Sequence, residues 1–220
     1  DADAHPSGEL PVKAARYQRS LGRNADDFAF RFSTVVDDWD LAGSLFYGTA
    51  RTPILSVVDM GTALEPYYAE QRSIGLEAQY TGDATLLKWE SLHGKQDGKD
   101  FFAAVAGLEN TLHGVLDQVW DLGLIAEAQY DGRPQAAAER FYVAGLRLTL
   151  NDAKDTSLLL LTSQDEAKDQ SLISFDASRR LNSWSSINFG AKFFDAKTTT
   201  SVFGFLDDDD TISVKLNMFF

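Results

Sequence analysis

Eight charged residues recur in alternating contexts, and their signs segregate along the chain. Glu77, Glu90, Glu109 and Glu127 lie in four successive segments where every second residue is apolar. Arg31, Arg147, Lys192 and Lys215 lie in similar segments toward either end. An acidic arc facing a basic arc sets up a transverse field across a water-filled passage, and such a field orients and selects solutes. The same residues have a plainer use. Opposite charges on neighbouring strands pair and fill an interior, as Lys88 beside Glu90 suggests. Both uses fit the sequence.

Other chemistry is thinner. The histidines are His5, His93 and His113. His93, with Ser91, Asp97 and Asp100 nearby, has the neighbours of a hydrolytic site at a strand rim, but any polar loop supplies them. His113, next to Gly114, reads as a turn residue. The run Asp207 to Asp210 offers carboxylates for calcium, yet lacks the glycine and spaced ligands of an EF-hand loop and reads as a solvated loop. The chain has no cysteine, which excludes a disulfide framework and a thiolate metal site. No cofactor and no catalysis are expected. The net charge of -13 argues against a nucleic-acid binder, because phosphate contacts need a basic face.

The elements that carry these residues read as strands. Thr211 to Phe220 alternates strictly: Ile212, Val214, Leu216, Met218 and Phe220 are apolar, and Thr211, Ser213, Lys215 and Asn217 are polar. Successive side chains on a strand point to opposite faces, so one face is oily and the other wet. The looser pattern recurs at Phe28-Phe30-Phe32, Leu41 to Tyr47, Ile74 to Tyr80, Leu87-Trp89 and Phe102 to Leu108. It continues at Leu122 to Tyr130, Tyr142 to Leu150, Thr156 to Thr162, Ile173 to Ala177 and Ile187 to Phe193. Thr156 to Thr162 is apolar on both faces, so its facing stays open. Glycine recurs in mid-strand at Gly43, Gly75, Gly107, Gly123, Gly145 and Gly190, assigned here to the polar face. Residues 1 to 26 show no alternation and read as a loop or arm. Residues 27 to 220 hold the strands.

About eleven segments of this kind, with no convincing amphipathic helix, predict an all-β fold. Segments near ~9–11 residues with one apolar and one polar face suit an antiparallel transmembrane β-barrel of 11–12 strands in this chain. A soluble β-sandwich or barrel is the alternative. In the membrane reading the eight charges face the lumen, since a charge facing lipid costs ~2–4 kcal/mol at the midplane. Tyr47, Tyr80, Trp89, Trp120, Tyr130, Tyr142, Trp184 and Phe220 are candidates for interfacial girdles. Tyr67-Tyr68 is a candidate ligand contact.

Short links near Asp37, Gly82, Ala153 and Asn182 alternate with long ones at 50–71, 93–100, 131–140, 163–170 and 195–210. The link at 113–120 is the weak member of the series. Short periplasmic turns and long outer loops are the barrel pattern. With a periplasmic C-terminus, an eleven-strand count starts the chain outside the cell, whereas bacterial single-chain barrels have even strand numbers. Either Ser201 to Leu206 is a twelfth strand, or the chain is the C-terminal part of a larger barrel. The second fits the loop alternation better.

Several stretches resemble a porin-like Gram-negative outer-membrane β-barrel family of proteobacteria. They are Leu122-Gly123-Leu124-Ile125-Ala126-Glu127-Ala128-Gln129-Tyr130, Gly145-Leu146-Arg147-Leu148-Thr149-Leu150-Asn151-Asp152 and Asp176-Ala177-Ser178-Arg179-Arg180-Leu181. The final strand ending in Phe220 resembles the assembly signal of such proteins. Members of that family are about twice this length, and this chain matches their second half. The resemblance implies an outer-membrane location, with the lipid bilayer, lipopolysaccharide and the barrel-assembly machinery as partners. The expected function is a channel that passes small solutes through a charged lumen. A docking barrel with a filled lumen and an envelope protein partner is the alternative, and a rim-active hydrolase is the third.

Overall fold

The structure, a computed structural model, describes residues 10–133, 135–136, 138–166, 170–197 and 210–219. Phe220, Ser201 to Leu206 and Asp207 to Asp209 lie outside the described residues. Each of the eleven alternating segments forms one strand of an antiparallel sheet. They are β2 (Phe28–Val36), β3 (Trp39–Thr49), β6 (Glu70–Thr81), β7 (Thr85–Gln96), β8 (Lys99–Val115) and β9 (Trp120–Asp131), then β10 (Arg140–Thr149), β11 (Ser157–Asp165), β12 (Gln170–Asn182), β13 (Ser185–Ala196) and β14 (Thr211–Met218). The order runs β14-β13-β12-β11-β10-β9-β8-β7-β6-β3-β2. Except for β3 and β6, sequence neighbours are sheet neighbours, the meander that tight turns between strands produce. The order starts at β14 and ends at β2, with no ladder between these two among the described residues.

A second, three-stranded sheet lies in the order β1-β5-β4, with β1 (Arg16–Tyr17), β4 (Ile54–Val58) and β5 (Ala63–Tyr68). The long link at 50–71 is therefore a hairpin, with its tip bent by positive φ at Asp59, Met60 and Gly61. The arm at 1–26 is not wholly irregular. Arg16 and Tyr17 pair in parallel with Tyr67 and Tyr68, and Val12 bridges Leu64. Pro66 has no N–H to donate, and the arm's pairing is interrupted beside it, between these two contacts.

The link expected at 93–100 is a two-residue turn. β7 continues to Gln96 and β8 begins at Lys99, joined by Asp97 and Gly98 at φ 53° and 74°. Both central residues of such a hairpin turn need positive φ, and an Asp-Gly pair supplies it. The Asp97–Gly98 turn takes the place of an expected long link, so the regular long–short alternation does not hold, while the turn at 116–119 is short as its place in the series requires. Gln135 to Arg140 contains no helix among its described residues.

The chain divides into two compact units. The first comprises Asp1–Gln79, Trp89–Val105 and Tyr130–Glu139, and the second Tyr80–Lys88, Ala106–Gln129 and Arg140–Phe220. In the first unit β2 and β3 pair Phe28 with Tyr47, Phe30 with Leu45, Phe32 with Gly43 and Val36 with Trp39 on one face. Gly43 thus lies on the apolar face, not the polar one. In the second unit the register settles the open facing of β11. Leu158 and Leu160 pair with Leu148 and Leu146 on one side, and with Ala177 and Phe175 on the other. Leu159 and Leu161 share the opposite face with Arg147 and Gly145.

In several strands exposure runs opposite to that of a protein with an apolar core, whereas β2 and β14, at the ends of the sheet order, are exposed on nearly every residue. Along β9, Leu124, Ala126, Ala128 and Tyr130 are exposed, whereas Gly123 is buried and Ile125, Glu127 and Gln129 are half-buried. In β6, Ile74 and Leu76 are exposed while Ser73 and Gly75 are buried. In β10, Tyr142, Ala144 and Leu146 are likewise exposed while Phe141, Val143 and Gly145 are half-buried, and the pattern ends at the exposed Arg147. Buried apolar residues are few among the described residues: Ala50, Ala63, Leu64, Ala69, Phe101 and Ala191. Phe28, Phe30 and Phe32 are each more than 60% exposed. Full burial of such side chains contributes about 1.5–3 kcal/mol each. Exposure of these three in water forgoes on the order of 5 kcal/mol, comparable with a domain's whole net stability of ~5–15 kcal/mol.

Candidate functional site

The polar face is built row by row from the ladders. In the second unit one row runs Gly145, Leu161, Ser174, Lys192 and Thr211 across β10 to β14. The next runs Arg147, Leu159, Asp176, Gly190 and Ser213, and a third runs Thr149, Ser157, Ser178, Asn188 and Lys215. Lys192 and Lys215 are exposed on this wall among hydroxyls and amides. Ser157 and Ser178 share a hydrogen bond of 2.8 Å, and the Asn217 amide donates to Asn188 at 2.7 Å.

Two arginine–glutamate pairs each reach over an intervening strand. In the first unit, Arg31 on β2 sits opposite Ser44 on β3 and donates to Glu77 on β6 at 2.6 and 3.3 Å. In the second unit, Arg147 on β10 donates to Glu109 on β8 at 2.5 Å. The intervening strand there is β9, at Gly123. A Cβ at Gly123 would lie 3.4 Å from the Arg147 Cβ and 3.6 Å from a Glu109 carboxylate oxygen. Strands are ~4.8 Å apart, so a pair two strands apart spans roughly 10 Å and needs a small residue beneath it. Ser44 and Gly123 meet that need.

Gly107 lies in a similar setting, with a Glu127 carboxylate oxygen and the Lys88 Cβ each 3.8 Å from its built Cβ. Glu127 also accepts a 2.6 Å hydrogen bond from Gln129. Glu90 is exposed on β7, and no ion pair joins it to Lys88. Glu77 and Glu109 are thus brought to Arg31 and Arg147. Glu90, Glu127, Lys192 and Lys215 form no ion pair within 4 Å among the described residues. The side chains of both formed pairs keep substantial contact with solvent, which screens them. Their effect is on local charge more than on stability.

His93 stands in a strand, at an exposed position of β7, rather than in a rim loop. His113 contacts a carboxylate, its Nδ1 lying 2.9 Å from Asp121 Oδ1. Asp210 accepts a hydrogen bond from the Phe194 backbone at 2.9 Å. No group of three or more His, Asp or Glu side chains suited to a metal ion occurs among the described residues.

Tyr67 and Tyr68 are held by the arm and the β7–β8 turn. Arg16 lies 4.6 Å over the Tyr67 ring, Tyr17 stacks on Tyr68 at 5.1 Å, and the Tyr67 hydroxyl donates to Asp97 at 2.9 Å. Burial foremost, and then that bond to Asp97, push the Tyr67 phenol above its ordinary pKa. Asp27 is a hub that sequence reading did not single out. It pairs with Arg19 and Arg51 and accepts the Thr49 backbone N–H at 2.8 Å. Its carboxylate occupies the space a side chain at Gly48 would fill. The proximity of Asp27 to the first long strand was the only signal for it in the sequence.

The chain was compared with known proteins. It matches no family model, no curated protein and no solved structure. The geometry above is therefore what bears on function.

Proposed function

We propose that the chain is a porin-like outer-membrane β-barrel that passes small solutes through a charged lumen. The observation that carries this reading is the inverted exposure. In β6, β9 and the first part of β10 the apolar residues are exposed and the positions between them are shielded, which lipid satisfies and water does not. No helix among the described residues is long and apolar enough to cross a membrane. Apart from β14, with 8 residues, the strands of the large sheet have 9 to 17, which matches or exceeds the lower end of the ~9–11 residues a tilted crossing needs. On this reading Tyr47, Tyr130 and Tyr142 anchor one interface, and Trp39, Trp120 and Trp184 the other. The bilayer, lipopolysaccharide and the assembly machinery are its partners, and the Gram-negative outer membrane is its place.

Lumen charge sets selectivity in this account. Arg31–Glu77 and Arg147–Glu109 neutralise each other locally, leaving Glu90, Glu127, Lys192 and Lys215 to shape the field. The same pairs favour a second reading, a structural barrel whose lumen is closed by cross-strand ion pairs and which docks an envelope protein. Single-channel recording from the folded chain in planar bilayers separates the two. Discrete conductance supports the channel, and a folded chain that inserts without conducting sinks it in favour of the docking barrel.

A further inference from the structure

One hollow on the second unit has a chemistry that the lumen charges and the lipid-facing residues leave unassigned. It is an open hollow of about 550 Å³ at the β12–β13 turn, beside the end of β14. Phe219, Arg180, Asp155, Asn182, Ser186 and Asn188 line it. An adjoining hollow of about 270 Å³ shares Ser178 and Asn188 with it and adds the apolar Leu158, Leu159, Ala177 and Phe189.

Phe219 is the anomaly. It follows Asn217 by two residues, which continues the polar side of an extended chain, and yet it is an aromatic ring 63% exposed. Its backbone N–H donates to the Trp184 carbonyl at 2.8 Å, which fixes the chain at this point beside the β12–β13 turn. The charges around it are already matched. Arg180 pairs with Asp155, Arg179 pairs with Asp152 at 3.4 Å, and Lys154 Nζ donates to the Leu181 carbonyl at 3.0 Å. No charge among the residues that line the hollow is left uncompensated, and Lys215, which forms no ion pair among the described residues, stands outside the lining, opposite Asn188. What remains are groups that donate and accept hydrogen bonds without net charge. The Asn188 carbonyl oxygen accepts from Asn217, which leaves its amide N–H pair as donors. The Asp155 carboxylate accepts, and the Arg180 guanidinium donates in a fixed fork.

A flat apolar ring beside neutral donor–acceptor groups matches a pyranose. A pyranose presents one C–H face and an edge of hydroxyls, each both donor and acceptor. We infer that this hollow is a subsite for a neutral sugar, with Phe219 under the C–H face and Asn188, Arg180 and Asp155 on the hydroxyls. The inference rests on the channel reading for its biological sense and names the solute class that the channel would take.

Saturation-transfer NMR on the full chain folded in detergent micelles, with methyl α-glucoside as probe, tests it. The expected result is transfer to the glucoside ring protons, reduced at least about fivefold by Phe219→Leu and by Asn188→Ala. Phe219→Leu keeps the apolar bulk and removes the aromatic face, and circular dichroism checks that each variant is folded. Absence of transfer to the folded wild-type chain, or equal transfer to folded Phe219→Leu, overturns the subsite. Planar-bilayer recording on the same preparation keeps the two failures apart. Conductance without sugar transfer removes the subsite alone. Sugar transfer that depends on Phe219, without conductance, upholds the subsite and removes the channel.

Discussion

Leu146→Arg separates a lipid-facing wall from a water-facing one most sharply by energy. Leu146 lies well inside β10 and opposite Leu160 of β11, and the two are 46% and 44% exposed. Its same-face neighbours are Ala144, Leu148 and Leu158. If that face contacts lipid, an arginine there costs ~2–4 kcal/mol at the midplane. If it contacts water, the same change at a half-exposed surface site stays within about 0.5 kcal/mol. The outcomes differ by at least ~1.5 kcal/mol, more than tenfold in the folded-to-unfolded ratio. The assay is equilibrium denaturation of the chain folded into phospholipid vesicles, followed by tryptophan fluorescence, at an unchanged denaturant slope. Thr149→Arg, in the polar row with Ser157 and Ser178, is the control and stays within about 0.5 kcal/mol. A Leu146→Arg midpoint that coincides with wild type refutes the reasoning.

Other outcomes follow from the polar wall and its turns. Glu109→Ala leaves the Arg147 charge unmatched and shifts single-channel selectivity toward anions, and Arg147→Ala shifts it toward cations; identical reversal potentials across a salt gradient contradict this. Gly123→Ala keeps the Arg147–Glu109 pair, whereas Gly123→Leu wedges it apart and destabilises by ~1–3 kcal/mol through overpacking, measured by the same denaturation. Asp152, in the β10–β11 turn, has a carboxyl held below its ordinary range chiefly by the Thr156 backbone N–H, assisted by the Thr156 hydroxyl and Arg179. A depressed carboxylate stabilises fully above its unfolded pKa, and the contribution disappears as pH falls through the folded value. The Thr156 amide signal in a pH titration therefore moves below the usual aspartate range, and Asp152→Asn abolishes that step.

The strands were legible because their alternation has a period of two wherever one face is apolar, and that period identifies a face. It does not identify register or neighbours. Arg31 and Glu77 were each placed on a polar face, but their meeting depends on β6 lying beside β3, after a hairpin excursion that alternation cannot report. The facing of β11 was unreadable because Leu158 to Leu161 satisfies both faces; only its ladders with β10 and β12 decide it. The Asp97–Gly98 turn was obscured by the polar composition around it, although Asp-Gly between two alternating segments is itself a hairpin signal. The β4–β5 hairpin was hidden by Pro53, Gly61 and Pro66, which read as loop punctuation. Pro66 is accommodated because the arm's pairing lapses beside it.

The central claim is that the apolar residues of the large sheet face lipid. The chain has no cysteine, so single cysteines introduced one at a time from Tyr142 to Thr149 carry a spin label without background. Collision with oxygen, which concentrates in lipid, and with a water-soluble nickel chelate is then measured for the protein in vesicles. A lipid-facing apolar face gives a period of two: labels at 142, 144, 146 and 148 favour oxygen, and those at 143, 145, 147 and 149 favour the chelate. Chelate access at every position, or oxygen preference at 143, 145, 147 and 149 instead, contradicts it.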